Sequence, residues 1–193
     1  MRKIVVAVTG ASGSVYGYRL LTKLREQKDI QIHLVLSRAA ERTSRIELGY
    51  LAAQWKQVAN FTYPVEDIGC RLASGSFQTD AMVVAPCSVH TLSAIATGLS
   101  SNLIVRAADV CLKERRRLVL MVRETPFHLG HLRAMVAVTE MGAIVAPPIP
   151  GFYHRPQSVE DLVDHSVNRV LDLIGCPNPA TVRWDDMSDA NSE

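Results

Sequence analysis

The stretch NLIVRAADVCLKERRRLVLMVRETP, residues Asn102–Pro126, decides how the chain is read. Its first part carries a helical repeat. Asn102, Arg106, Asp109 and Lys113 recur at spacings of four, three and four, so they share one face of a helix. Its second part, Leu118–Val122, is an unbroken apolar run that ends in Arg123 and Glu124. Such a run reads as a strand buried on both faces. Two cations on the helix face, with Arg123 and Glu124 as an ion pair at the strand end, suit a phosphorylated anion. A solvated helix face followed by a strand that exits into water shows the same pattern.

The same alternation extends outward in both directions. Ile4–Val8 reads as a buried strand, followed by the loop Gly10-Ala11-Ser12-Gly13 and a helix over Ser14–Gln27 with Val15, Leu20, Leu21 and Leu24 on its apolar side. Ile30–Leu36 is a second strand ending at Ser37, and a helical segment runs from Ala39 into the Glu47 region. Ala81–Ala85 is a third strand capped by Pro86-Cys87-Ser88, and Thr91–Thr97 is a short helix stopped by Gly98. Downstream come a helix from about His131 to Met141, a strand over Ala143–Ala146, and a last helix that starts from Ser158 with Asp161 in a capping-box pattern and ends at Ile174. Residues 50–79 are less regular and end in the small-residue loop Ala73-Ser74-Gly75-Ser76-Phe77.

Apolar strand runs separated by helices predict a three-layer α/β fold. Its parallel sheet is Rossmann-like or flavodoxin-like, with helices on both faces. One domain over residues 1–175 is expected, with 176–193 as a tail. In such sheets the ligand crevice lies beyond the carboxyl ends of the strands. The strands here end in the glycine loop, in Ser37, in Ser88 with Thr91, and in Arg123-Glu124. Hydroxyls, glycines and charge on one edge make phosphate-cradling chemistry.

The glycine loop narrows the ligand. A dinucleotide fingerprint is G-x-G-x-x-G with an acidic residue closing the second strand. Here the glycines are Gly10, Gly13 and Gly17, and the second strand closes in Ser37. Both departures count against NAD or FAD. A loop with Thr9 and Ser12 at a helix N-terminus still suits a phosphate or a polar ring edge, and a mononucleotide such as FMN fits better. A tight strand-to-helix turn needing its glycines for packing alone is the competing reading.

Composition excludes other classes. The chain has 193 residues, 48% hydrophobic and 21% charged, with a formal charge of +2. Its basic residues are scattered apart from Arg115-Arg116-Arg117 and aromatics are sparse, which leaves nucleic-acid binding with little support. The N-terminal apolar run is far too short to span a membrane. The four cysteines, Cys70, Cys87, Cys111 and Cys176, form no C-x-x-C pair and have no histidines at metal spacing. Free thiols in a reducing cytoplasm and no metal site are expected.

These blocks together resemble the UbiX/Pad family of flavin prenyltransferases, from Thr9 to Trp184. The matching stretches are TGASGSVYGYRLL, LSRAA, ASGSF, APCSVHTLSAIATG, the whole of Asn102–Pro126, HLRAM, PPIPGFYHRPQSVEDLVD and NRVLDLIG. The resemblance implies transfer of a dimethylallyl group from dimethylallyl phosphate to N5 and C6 of reduced FMN, without a metal. The prenylated FMN would serve a UbiD-type decarboxylase, in ubiquinone biosynthesis or aromatic-acid decarboxylation. It also implies a homo-oligomer, a dodecamer in the family.

Residue roles are likewise implied by the resemblance. Gly10, Ala11, Ser12, Ser37, Ser88, Thr91 and Arg123 match the FMN contacts, with Val89 and His90 contributing from the same loop. Ser74, Arg106, Lys113, Tyr153 and Arg169 match the prenyl-phosphate side, where cations stabilise a leaving phosphate. Tyr153 and Arg169 are expected to complete a neighbouring subunit's site. Glu124 matches a catalytic acid/base, Ser12 a group beside N5, and Glu47 a second carboxylate. Trp184 matches an aromatic that shields an allylic cation. The chain departs from the family at Arg117, where proline is common. Two other readings stand beside this one: an FMN-dependent decarboxylase of the cysteine-decarboxylating group, and a non-catalytic flavin carrier. The Arg106, Lys113 and Arg169 set suits a phosphate leaving group better than either.

Overall fold

The computed structural model describes residues 1–179 together with Thr181 and Arg183. Six strands form one sheet: β1 (Arg2–Val8), β2 (Ile30–Leu36), β3 (Phe61–Tyr63), β4 (Ala81–Cys87), β5 (Arg117–Val122) and β6 (Ile144–Val145). Every pairing is parallel, and the spatial order is β3-β2-β1-β4-β5-β6. That is the order of doubly wound nucleotide-binding folds, with the reversal between β1 and β4. The helices are α1 (Ser14–Arg25), α2 (Arg38–Leu48), α3 (Ala52–Val58), α4 (Val89–Ala96), α5 (Leu103–Lys113), α6 (Leu129–Glu140) and α7 (Val159–Leu173).

The apolar runs become the central strands because both of their faces are covered. All of β4 is buried, as is β5 after its first residue. Side chains that alternate along each strand feed two cores. On one face, Ile4, Val6 and Val8 join Leu20, Leu21 and Leu24 of α1, Trp55 of α3, and Val163, Val167 and Val170 of α7. On the other, Val5 and Ala7 join Leu92 of α4, Leu103, Ala107 and Cys111 of α5, and Val138 of α6. Gly17 is the point of closest approach between α1 and the sheet. A Cβ there would sit 2.3 Å from the carbonyl oxygen of Ala85, so only glycine lets the helix seat.

Two expectations change. Residues 50–79 hold α3, β3 and a single 3-10 turn at Arg71–Ala73, elements too short to print a period in the sequence. Strand β4 continues through Pro86 and Cys87. The ladder to β5 shifts register between Val84 and Cys87, which is where a strand tolerates a proline.

His33 and two arginines show how polar groups are drawn into the body of the fold. His33 is buried on β2, its Nδ1 2.8 Å from the Tyr63 hydroxyl and its Nε2 3.1 Å from Gln31 Oε1. Burial, followed by the positive charges of Arg71 and Lys3, pushes its pKa down to about 4. Arg117 Nη1 donates to the Leu173 carbonyl at 2.9 Å and Arg2 Nη2 to that of Ile174 at 2.6 Å, so two cations close the C-terminus of α7. Arg117, which departs from the pattern the sequence resembles, thus has a structural partner. All four cysteines are free. Burial raises the Cys87 thiol to about 12 and the Cys111 thiol to about 11, which removes both as nucleophiles at neutral pH.

Candidate active site

The carboxyl ends of β1 and β4 are braced to each other at the point where the strand order reverses. Thr9 is buried; its hydroxyl donates to the Pro86 carbonyl at 2.8 Å and accepts from the Ser88 amide at 2.8 Å. The Ser37 amide donates to the Val8 carbonyl at 3.0 Å, and the Arg123 amide to that of Cys87 at 3.1 Å. These bonds set four chain segments side by side along one edge.

Two helices begin on that edge with serine caps. Ser37 Oγ accepts from the Ala40 amide at 3.0 Å at the start of α2, and Ser88 Oγ accepts from the Thr91 amide at 3.3 Å at the start of α4. Val89 and His90, expected in a loop, are instead the first two residues of α4, because the Ser88 cap starts the helix before them. Their backbone N–H groups belong to the first turn, which has no intrahelical acceptors for them. Two helix N-termini with the hydroxyls of Ser37, Ser88 and Thr91 give dipoles and donors for a phosphate.

The N-terminus of α1 is different. Gly13, at a φ of 100°, precedes the helix, and the Glu47 carboxylate sits on it, accepting from the Gly13 amide at 3.0 and 3.1 Å and from the Ser14 amide at 2.8 Å. Partial burial would raise the Glu47 pKa. Hydrogen bonds from the Ser12 side chain and from the Ser14 and Gly13 amides outweigh this and hold it below the usual carboxylate range. An anion is therefore already seated on α1. The helix N-termini left open to an anion on this edge are those of α2 and α4.

Arg123 and Glu124 reach the same edge, but the expected ion pair between them does not form. Successive side chains of an extended segment leave it on opposite sides. Glu124 Oε1 accepts from the Thr125 amide at 2.9 Å, and the Arg123 guanidinium acts on the Tyr16 phenol, where it lowers a pKa that burial raises further.

The remaining residues implied by the resemblance lie elsewhere. Asn102 caps α5 by accepting from the Val105 amide at 3.1 Å, and Arg106 pairs with Asp109 at 2.6 Å, so the face read from the sequence exists. Lys113 and Ser74, however, sit at the opposite edge, where the strands begin. Ala81 of β4 pairs there with Arg117 of β5, and a Cβ on Gly75 would be 2.7 Å from Lys113 Nζ. The six residues of β5 put about 20 Å between the two edges. Lys113 is paired with Glu114. Tyr153 and Arg169 belong to the other face of the sheet, with α7. The Tyr153 hydroxyl lies 2.7 Å from His165 Nε2, and Arg169 pairs with Asp172 at 3.1 Å. One protomer thus carries three separate groups. Trp184 lies outside the described residues. Among the described residues no group of three His, Cys, Asp or Glu side chains could hold a metal ion.

Reading the sequence missed the inward turn of Arg116, whose guanidinium donates to the Gly75 and Phe77 carbonyls. The run Arg115–Arg117 registered only as a charge cluster, and nothing local distinguishes the arginine whose guanidinium turns inward.

The Flavoprotein family matches residues 1–171 of the chain. Over 186 residues the chain is 50% identical to flavin prenyltransferase UbiX of Escherichia coli K12, covering 95% of this chain and 98% of that protein. The chain belongs to the UbiX flavin prenyltransferase family. Among UbiX structures, that of AnUbiX (PadA1) in complex with FMN and dimethylallyl pyrophosphate superimposes with a TM-score of 0.93 at 46% identity, over 95% of this chain and 97% of that one. The dodecameric FMN-dependent UbiX-like decarboxylase of Escherichia coli O157:H7 gives 0.92 at 44% identity, over 94% and 98%. The peptidyl-cysteine decarboxylase EpiD matches at 14% identity with a TM-score of 0.65, a likeness of fold alone.

Proposed function

We propose that the protein transfers a dimethylallyl group from dimethylallyl phosphate to reduced FMN, giving prenylated FMN for a UbiD-type decarboxylase. What supports this reading is that the chain carries residues suited to two separate anions. One set is the serine-capped sheet edge with Arg123. The other is cationic and divided over the protomer, with Arg106 and Lys113 on α5 and Arg169 on α7, so that it would be assembled only between copies. A reaction between two phosphorylated reactants needs both. A flavin carrier needs only the first, and decarboxylation of a peptidyl cysteine has no use for the second.

The edge residues fit FMN. The hydroxyls of Ser37, Ser88 and Thr91, the first-turn amides of Val89 and His90, and Arg123 would hold its phosphate. Gly10, Ala11 and Ser12 would line its ring. Bound reduced flavin supplies nucleophilic N5 and C6 positions. Glu47, fixed on the Gly13 and Ser14 amides, orients the Ser12 hydroxyl toward the ring edge. Glu124, whose carboxylate accepts from the Thr125 amide, would move a proton at the reacting edge. Ser74, Arg106, Lys113, Tyr153 and Arg169 would bind the prenyl phosphate and stabilise the charge that grows on it as the C–O bond breaks. Trp184 would cover the allylic carbons.

Because these residues do not meet within one protomer, the reading requires an oligomer, and the family's dodecamer supplies one. Four free cysteines suit a reducing cytoplasm, and among the described residues no helix is long and apolar enough to cross a membrane.

The test is anaerobic incubation of the purified protein with reduced FMN and dimethylallyl monophosphate or pyrophosphate, followed by mass spectrometry of the released flavin. Gain of one C5H8 unit is the expected result, and the better donor identifies itself by rate. Recovery of unmodified FMN with both donors would move the assignment to a carrier or a decarboxylase.

A further inference from the structure

The loop that carries Ser74 is turned by its own bonds, the Ser74 amide to the Arg71 carbonyl at 3.2 Å and the Phe77 amide to the Ser74 carbonyl at 3.3 Å, but guanidinium groups tie three of its carbonyls to the α5 end of the chain. Arg116 Nη2 donates to the Gly75 carbonyl at 2.6 Å and Nη1 to that of Phe77 at 2.9 Å, with Thr79 Oγ1 at 3.4 Å. Arg106 Nε donates to the Ala73 carbonyl at 3.2 Å. The chain aims Arg116 inward through the end of α5. Arg115 adopts a left-handed φ of 55°, and the Arg116 amide donates back to the Cys111 carbonyl at 2.8 Å. The loop lies flat against that helix end: a Cβ on Gly75 would be 2.1 Å from Glu114 Oε1 and 2.7 Å from Lys113 Nζ.

We infer that Arg116 is a positioning residue for the prenyl phosphate. It clamps the loop of residues 73–77 on the C-terminal turn of α5, so that Ser74 and Lys113 form one pre-set wall together with Arg106. The inference rests on the proposed prenyl transfer and adds a residue to which the family resemblance gave no role. Its physical basis is the planar fork of arginine, which reaches two carbonyls at once. A lysine keeps the charge and holds one. A loose loop must be ordered each time the phosphate binds, and that cost falls on binding rather than on chemistry.

The experiment compares wild type with Arg116→Lys, Arg116→Gln and Gly75→Ala. It measures initial rates against dimethylallyl monophosphate at saturating reduced FMN, along with FMN affinity, melting temperature and oligomer size. The expected result is a KM for dimethylallyl monophosphate raised about tenfold in all three variants, as for loss of a charge-assisted hydrogen bond. Turnover at saturation, FMN affinity and oligomer size stay at wild-type values. Gly75→Ala sets a methyl group against the Glu114 and Lys113 side chains and leaves the arginine in place, so it reports how the loop packs on α5, while Arg116→Lys, which keeps the charge, carries the test if Arg116→Gln does not fold. The inference is overturned by an unchanged KM, by full rescue in Arg116→Lys, or by a loss shared equally with FMN binding. Absence of prenylated flavin from the wild type is a different failure: it removes the parent reading, and this inference with it.

Discussion

At the scale of single residues, the seat of Glu47 on α1 does the most to organise the site. Rossmann-type folds commonly use that helix N-terminus for a ligand phosphate, and here an internal carboxylate fills it. The consequence for the proposed FMN site is an orientation: the phosphate would go to α2 and α4, with the reacting ring edge beside Ser12. Replacing Glu47 by Gln keeps the shape and removes the charge from the helix end. A carboxylate at such a position contributes on the order of 0.5 kcal/mol when exposed. A lowering of the melting temperature by about 2 °C at neutral pH is therefore expected. Because the folded pKa lies below the unfolded one, this contribution is present above the unfolded pKa. It fades as pH falls through the folded pKa, so the two melting curves should converge in acid. Prenylation by Glu47→Gln should fall at least about tenfold with FMN still bound, measured by the same mass assay. Wild-type turnover would remove Glu47 from the chemistry and leave it a helix cap.

At the scale of elements, the outer edge of the sheet carries its own pH response. Strands β2 and β3 meet through His33, whose ring stacks on Phe61 with centroids 5.0 Å apart and bonds to Tyr63. Its folded pKa of about 4 lies below the ordinary histidine value of 6.5. The unfolded chain therefore binds the extra proton first as pH falls. Stability from neutral His33 is complete above about pH 6.5 and is lost progressively toward pH 4, by on the order of 2 kcal/mol. Urea denaturation at pH 7 and pH 4.5 should show this loss in the wild type and a smaller one in His33→Gln. Equal slopes in the two proteins would assign the acid sensitivity to other groups.

At the scale of the whole molecule, the separation of the functional groups is the central fact. The residues proposed for the flavin stand at one edge of the sheet, Ser74 and Lys113 at the other, and Tyr153 and Arg169 on the opposite face with α7. A closed oligomer brings unlike surfaces of its subunits together, so complete sites are expected only between copies. Lys113→Ala and Glu124→Gln should each abolish prenylation alone. Co-expressed in equal amounts, they should recover activity, since random assembly would place both native residues in about a quarter of the sites. A mixture as inactive as either parent would mean that each site draws both residues from one chain.

The sequence by itself determined the alternation of buried strands and helices, because an apolar run covered on both faces has to be written as one. It also determined the edge chemistry at the strand ends, since Gly10, Ser37, Ser88 and Arg123 sit where the strands stop. The α5 face of Arg106, Asp109 and Lys113 was legible from helical spacing, and the capping of α7 from Ser158 and Asp161. Only the tertiary structure decided the rest. Elements α3 and β3 are too short to print a period. The Arg123–Glu124 pair, adjacent in sequence, is split by the geometry of an extended chain. Glu47 reached the α1 helix end, and Arg116 the Ser74 loop, across separations of 34 and 41 residues, which no local pattern encodes. The two edges of the sheet, close in sequence between Lys113 and Glu124, were set apart by the length of β5, because a strand carries the chain straight across the sheet it belongs to.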